Sequence, residues 1–106
     1  MHTTIRTYEM DAQRAPEVTS LVEQHFAPKL DSLDGFVAYQ VITSADGTFV
    51  TITTCKTPQA CTESGKLAEE FVRNRLSDVR ITRRDAYTGE VAFATATGTV
   101  RHAVHA

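Results

Sequence analysis

The sequence predicts an α+β domain with the element order β-α-β-β-α-β. Three observations support this. Two short runs rich in β-branched and aromatic residues, Phe36–Thr43 and Thr48–Cys55, are joined by Ser44-Ala45-Asp46-Gly47. Asp-Gly between such runs is a strong hairpin signal, because glycine reaches the positive φ that a tight turn demands. Apolar residues recur at helical spacing on each side of this hairpin, and a further strand-like run lies beyond each helix.

In chain order, residues 3–10 read as the first strand, because β-branched and aromatic side chains suit a pleated surface. Pro16 fits a first helical turn, where its missing N–H is not needed. From Val18 the apolar positions Val18, Leu21, Val22, Phe26, Leu30 and Leu33 share one helical face. Pro28 lies inside that pattern, so a kink or break is expected near Phe26 and Ala27. Gly35 stops the helix or opens the turn into the second strand. Thr57-Pro58 announces the second helix as an N-cap followed by proline at the first helical position. Its apolar stripe is Ala60/Cys61, Ser64, Leu67/Ala68, Phe71/Val72 and Leu76, with Gly65 inside it. Ser77-Asp78 ends that helix. Residues 79–86 read as a further strand, Tyr87-Thr88-Gly89 as a turn, and residues 90–97 as a separate strand or a bent continuation. Residues 98–106 alternate weakly and fit either a strand or a tail.

The hairpin strands are apolar on both alternating faces, with Val50 and Ile52 on one and Phe49 and Cys55 on the other. An antiparallel sheet with one wet face alternates cleanly between apolar and polar. Two helices cover one side of the sheet, so the other side needs cover too. A second copy of the same sheet is the simplest candidate. The expected partner is therefore a homodimer mate packed through the sheet face.

The totals exclude several functions. A formal charge of −2 and a pI near 6.0 argue against nucleic-acid binding. The basic cluster Arg80, Arg83 and Arg84 splits across two faces if it is a strand. No apolar run approaches a membrane span, and the N-terminal residues lack the apolar core of a signal peptide, so a cytoplasmic location is the expectation. The cysteines Cys55 and Cys61 read as small buried residues. Neither they nor His102 and His105 form a metal-ligand pattern, and the expected metal and cofactor content is none.

Candidate chemistry rests on a few side chains. His25 projects among Val18, Val22 and Phe26, where an imidazole facing a pocket can act as a general base. The competing reading is a half-buried core histidine. Tyr39, mid-strand in the hairpin, can donate a hydrogen bond to a carbonyl or quinone oxygen, or serve only as a cross-strand aromatic. Arg75 projects near Phe71 and Val72, where it can hold an anion or pair with the helix C-terminus. Phe26 and Phe71 would line the substrate space or fill it.

The block from Phe26 to Leu76 resembles the antibiotic biosynthesis monooxygenase-like (ABM) domains of the dimeric α/β-barrel superfamily. The likeness is carried by Phe26-Ala27-Pro28-Lys29-Leu30, by Leu33-Asp34-Gly35-Phe36-Val37-Ala38-Tyr39, by Asp46-Gly47 with Val50-Thr51-Ile52-Thr53, and by residues 63–72. It covers about residues 3–93, with residues 1–94 as the domain and 95–106 as a C-terminal extension. It implies a ferredoxin-like protomer, an antiparallel sheet with two helices on one face, whose sheet packs against its twin. The chain departs from two family patterns in having no Trp, since both the haem-degrading members and the polyketide-quinone oxygenases rely on one.

The function implied is a cofactor-independent monooxygenase-like enzyme acting on a small aromatic or polyketide-like molecule between sheet and helices. His25 would remove a proton, Tyr39 would hydrogen-bond the oxyanion, and Arg75 would steady the charge. The alternative is a non-catalytic dimeric ligand-binding or structural module. An enzyme should show an open pocket reached by His25 and another polar side chain. A module should show that space filled by Phe26, Phe36, Phe49 and Phe71.

Overall fold

The computed structural model describes residues 1–96. Strand β1 (His2–Glu9) is followed by a 3₁₀ turn (Ala12–Arg14), helix α1 (Ala15–Leu21), a π-helical turn (Val22–Phe26) and helix α2 (Ala27–Asp31). Then come strands β2 (Phe36–Thr43) and β3 (Thr48–Cys55), helix α3 (Pro58–Arg75) and strand β4 (Thr82–Glu90). The strands form an antiparallel sheet in the order β2-β3-β1-β4. This is the expected ferredoxin-like βαββαβ arrangement, with the helices on one face.

The local signals act as the residue types require. Gly47 sits at φ +92° in the β2–β3 turn, and the Asp46 carboxylate accepts from the Thr48 N–H at 3.0 Å. That bond holds the Asp46 carboxyl below its usual range. The Thr57 hydroxyl accepts from the Ala60 N–H at 3.1 Å and caps α3, with Pro58 in the first turn. Pro28 has no N–H to offer the carbonyl four residues back, and its ring crowds that carbonyl. The chain answers with a wider turn rather than a break: the Ala27 N–H bonds the Val22 carbonyl, five residues away.

The C-terminal part differs from the expectation. β4 is one strand from Thr82 to Glu90 and contains Tyr87, Thr88 and Gly89 without turning. Its ladder with β1 runs from Glu9 opposite Thr82 to His2 opposite Glu90, with one irregularity near Arg84, and the Val91 N–H continues it to the Met1 carbonyl at 2.8 Å. A full-length partner strand pairs the backbone groups on the β1 side of this edge strand, which outweighs the local turn preference of Thr-Gly. Residues 79–81 precede the strand, and residues 91–96 form no regular element. The expected tail beyond them lies outside the described residues.

The register sorts each strand into two faces. Thr4, Arg6 and Tyr8 of β1, Tyr39 and Val41 of β2, and Phe49, Thr51, Thr53 and Cys55 of β3 face the helices. Tyr8, Tyr39, Val41 and Phe49 pack with Val18, Val22, Phe26, Leu30, Phe71 and Leu76 into the main core, and Cys55 packs with Ala60 and Cys61 in a smaller one. The other face displays Ile5, Ile42, Val50, Ile52 and Tyr87; Ile42 is 48% exposed and Tyr87 69%. No helix among the described residues is long and apolar enough to cross a membrane.

Candidate site between sheet and helices

The alternation of β1 aims Arg6 and Tyr8 under the helices, and the same phase on β2 aims Tyr39 there. With Phe26 from the π-helical turn and Phe71 and Val72 from α3, these side chains line a cavity of about 40 Å³. That volume suits about three waters by the space one water centre requires. A cavity that admits benzene has about 150 Å³, so even a single ring enters only if the lining moves apart.

The apolar wall combines aliphatic side chains, among them Val18, Val22, Leu76 and Ile81, with an aromatic cluster. Phe26 meets Tyr39 edge-on with ring centroids 5.5 Å apart and Phe71 at 5.4 Å, and Tyr8 meets Phe49 at 6.4 Å. Such pairs are worth about 1 kcal/mol beyond their buried area, so the rings hold one another in place. The polar part is small: the Arg6 guanidinium, the Tyr8 and Tyr39 hydroxyls, and the buried Thr51 and Thr53. Burial pushes the Tyr39 phenol well above its ordinary value and raises that of Tyr8 as well. Both therefore remain protonated donors at neutral pH, and the described residues offer neither hydroxyl a hydrogen-bond partner.

Of the residues singled out from sequence, Tyr39, Phe26 and Phe71 meet around this cavity. His25 is half-buried on the π-helical turn and does not line it. The α-helical projection assumed a regular turn. The wider turn keeps Val22 and Phe26 inward and leaves His25 on the flank. Arg75 is exposed in the last turn of α3, outside the lining. Of the basic cluster, Arg83 lies opposite Tyr8 on the helix-facing side, while Arg84 pairs with Glu9 at 2.6 Å. Cys55 and Cys61 are free thiols and buried, as expected, and the Cys61 thiol donates to the His2 carbonyl at 3.4 Å. No group of three or more His, Cys, Asp or Glu among the described residues is placed to hold a metal. His102 and His105 lie outside those residues.

Sequence reasoning missed Arg6 and undervalued Tyr8. The available signal was phase: Arg6 alternates with Thr4, Tyr8 and Met10, so a charge sits on the strand's inward side. A second signal was Gly65. A Cβ added there would stand 2.6 Å from Arg6 Nη2, so the bare backbone of α3 leaves room for this guanidinium.

No protein-family model matches the chain, and no curated protein matches it in sequence. Solved structures do share its fold. A monooxygenase from the gene ActVA-Orf6 of Streptomyces coelicolor, solved with nanaomycin D, is 15% identical with a TM-score of 0.69, covering 92% of each chain. A candidate antibiotic biosynthesis monooxygenase from Nitrosomonas europaea is 15% identical at a TM-score of 0.68, covering 88% of this chain and all of its own. A dimeric ferredoxin-like protein from an uncultured marine organism is 9% identical at 0.67, covering 91% and 98%. The fold is the ABM-like one that the sequence resembles.

Proposed function

From this shared fold and the make-up of the cavity, we propose that the protein is a monooxygenase-like enzyme acting on a small aromatic molecule, and that it works as a homodimer joined through the open sheet face. The observation that supports the chemistry best is the Tyr39 hydroxyl. It is unpartnered among the described residues, kept protonated by burial, and set in an aromatic wall beside Phe26. A donor so placed stabilises a phenolate or enolate as it forms. An electron-rich anion of this kind can reduce dioxygen itself. One oxygen atom then ends on the ring carbon and the other leaves as water, with the substrate giving up two hydrogens. The proton acceptor is solvent or the flanking His25. Arg6 takes over the charge-steadying part expected of Arg75. A protein of this fold solved with nanaomycin D supports a small-molecule ligand.

Ile5, Ile42, Val50, Ile52 and Tyr87 support the dimer, as does the dimeric assembly of a neighbour with this fold. An apolar strip of this kind left in water is unfavourable, and a self-complementary face buries it. Sedimentation should give the dimer at micromolar concentration, and Ile42→Lys should shift it to monomer. A wild-type monomer at that concentration overturns the dimer.

Oxygen uptake with a panel of simple phenols and naphthols tests the enzyme reading. Tyr39→Phe should keep the fold and lose about 100-fold in turnover, the scale of one oxyanion donor, whereas His25→Ala should lose much less. The small volume of the cavity, walled by Phe26, Phe49 and Phe71 among others, favours a second reading as a non-catalytic dimeric module. Absence of turnover across the panel selects that reading.

A further inference from the structure

We propose that the cavity takes its aromatic ligand as an anion, an ionised phenol whose oxygen is held by the Arg6 guanidinium seated against the bare Cα of Gly65. This rests on reading the cavity as a small-molecule site.

Arg6 is half-buried and engages in no salt bridge among the described residues. The other half-buried arginine among the described residues, Arg14, pairs with Glu17 at 2.8 Å and Asp78 at 3.4 Å. Holding an unpaired cation partly out of water is unfavourable unless an opposite charge meets it. Gly65 adds a second unfavourable feature at the same place, because glycine inside a helix costs about 1 kcal/mol relative to alanine. Alanine there would push on Arg6 Nη2. A strand residue and a helix residue, far apart in sequence, thus both depart from the stable choice where they meet. An anionic ligand explains both departures.

The surroundings agree in sign. Arg6 acts electrostatically on both cavity phenols, Arg83 and Glu69 act on Tyr8, and Tyr8 acts on Tyr39. Tyr8 and Tyr39 stay neutral, and Arg83 on β4 and Glu69 on α3, both exposed, oppose one another in charge, which leaves Arg6 uncancelled. The space beside Arg6 is therefore positive on balance. Aromatic rings and aliphatic side chains form the rest of the wall, which favours an apolar ring over an inorganic anion. The planar guanidinium offers an oxygen anion two N–H donors, and the Tyr39 hydroxyl adds a third from another strand.

The experiment compares 4-nitrophenol, whose ionised form is coloured, with 4-nitroanisole, a neutral molecule of nearly the same shape. Wild type should bind the phenol at least about tenfold more tightly than the ether at a pH where the free phenol is ionised, the scale of a charge-assisted hydrogen bond. Bound phenol should lose its proton at lower pH than free phenol. Arg6→Gln should weaken phenol binding about tenfold, abolish that shift and leave ether binding unchanged. Arg6→Lys should keep part of the shift. Gly65→Ala should weaken phenol binding in the same direction by displacing the guanidinium, and it provides the test should Arg6→Gln fail to fold. Equal binding of the two probes, or a shift that persists in Arg6→Gln, overturns the anion site and leaves the cavity reading intact. Wild type that binds neither probe overturns both.

Discussion

Met10 and Gly47 clasp one another at the end of the sheet. The Met10 N–H donates to the Gly47 carbonyl at 2.9 Å, while the Gly47 Cα lies so near the Met10 carbonyl that an added Cβ would overlap it. Gly47 also stands at φ +92°, a conformation that other residues reach only with strain. Gly47→Ala should therefore lower stability by about 2–3 kcal/mol, combining backbone strain with the clash, and chemical denaturation measures it. A loss below about 0.5 kcal/mol would show that the turn yields easily.

The cap of α3 offers a smaller effect. Thr57→Ala removes the acceptor for the Ala60 N–H and should cost about 1 kcal/mol. Thr57→Ser should cost much less, because it keeps the oxygen. Equal losses in thermal unfolding would show that the Thr57 methyl group, rather than its hydroxyl, matters.

Alkaline pH should act through the buried phenols. Burial raises the Tyr39 value above the ordinary one of about 10, so the folded state holds that proton more tightly than the unfolded chain. The stability linked to it is complete below the unfolded value and is lost as pH rises through the folded one. The stability of wild type should therefore fall more steeply above about pH 10 than that of Tyr39→Phe. Parallel curves for the two proteins would contradict a buried phenol.

The thiols should be inert in the folded protein. Cys55 is fully buried, and burial beside Cys61 pushes its thiol up to about 11. Only the thiolate is nucleophilic, and Cys61 is shut off from reagent by its burial, so iodoacetamide at pH 8 should leave both cysteines unmodified in the native state and label both in denaturant. Rapid native labelling of either cysteine would show that this end of the core opens.

Much of the fold was legible in local chemistry. Asp46-Gly47 specified the hairpin, Thr57-Pro58 the start of α3, and Pro28 the irregular first helical stretch, each through a constraint on one or two dihedrals or one missing donor. The turn expected at Tyr87-Thr88-Gly89 was misread because pairing with β1, distant in sequence, overrides a weak local preference. The site was legible only in part. Tyr39, Phe26 and Phe71 follow from periodicity. His25 was assigned to the cavity by a projection that the π-helical turn alters.

The sequence by itself determined the order of elements, the phase of each strand and the residues that had to leave water. These are short-range matters of dihedral freedom and apolar spacing. Only the tertiary structure decided that Arg6 would lie against Gly65. Their meeting depends on how a helix crosses a strand, and no periodicity within either element carries that information.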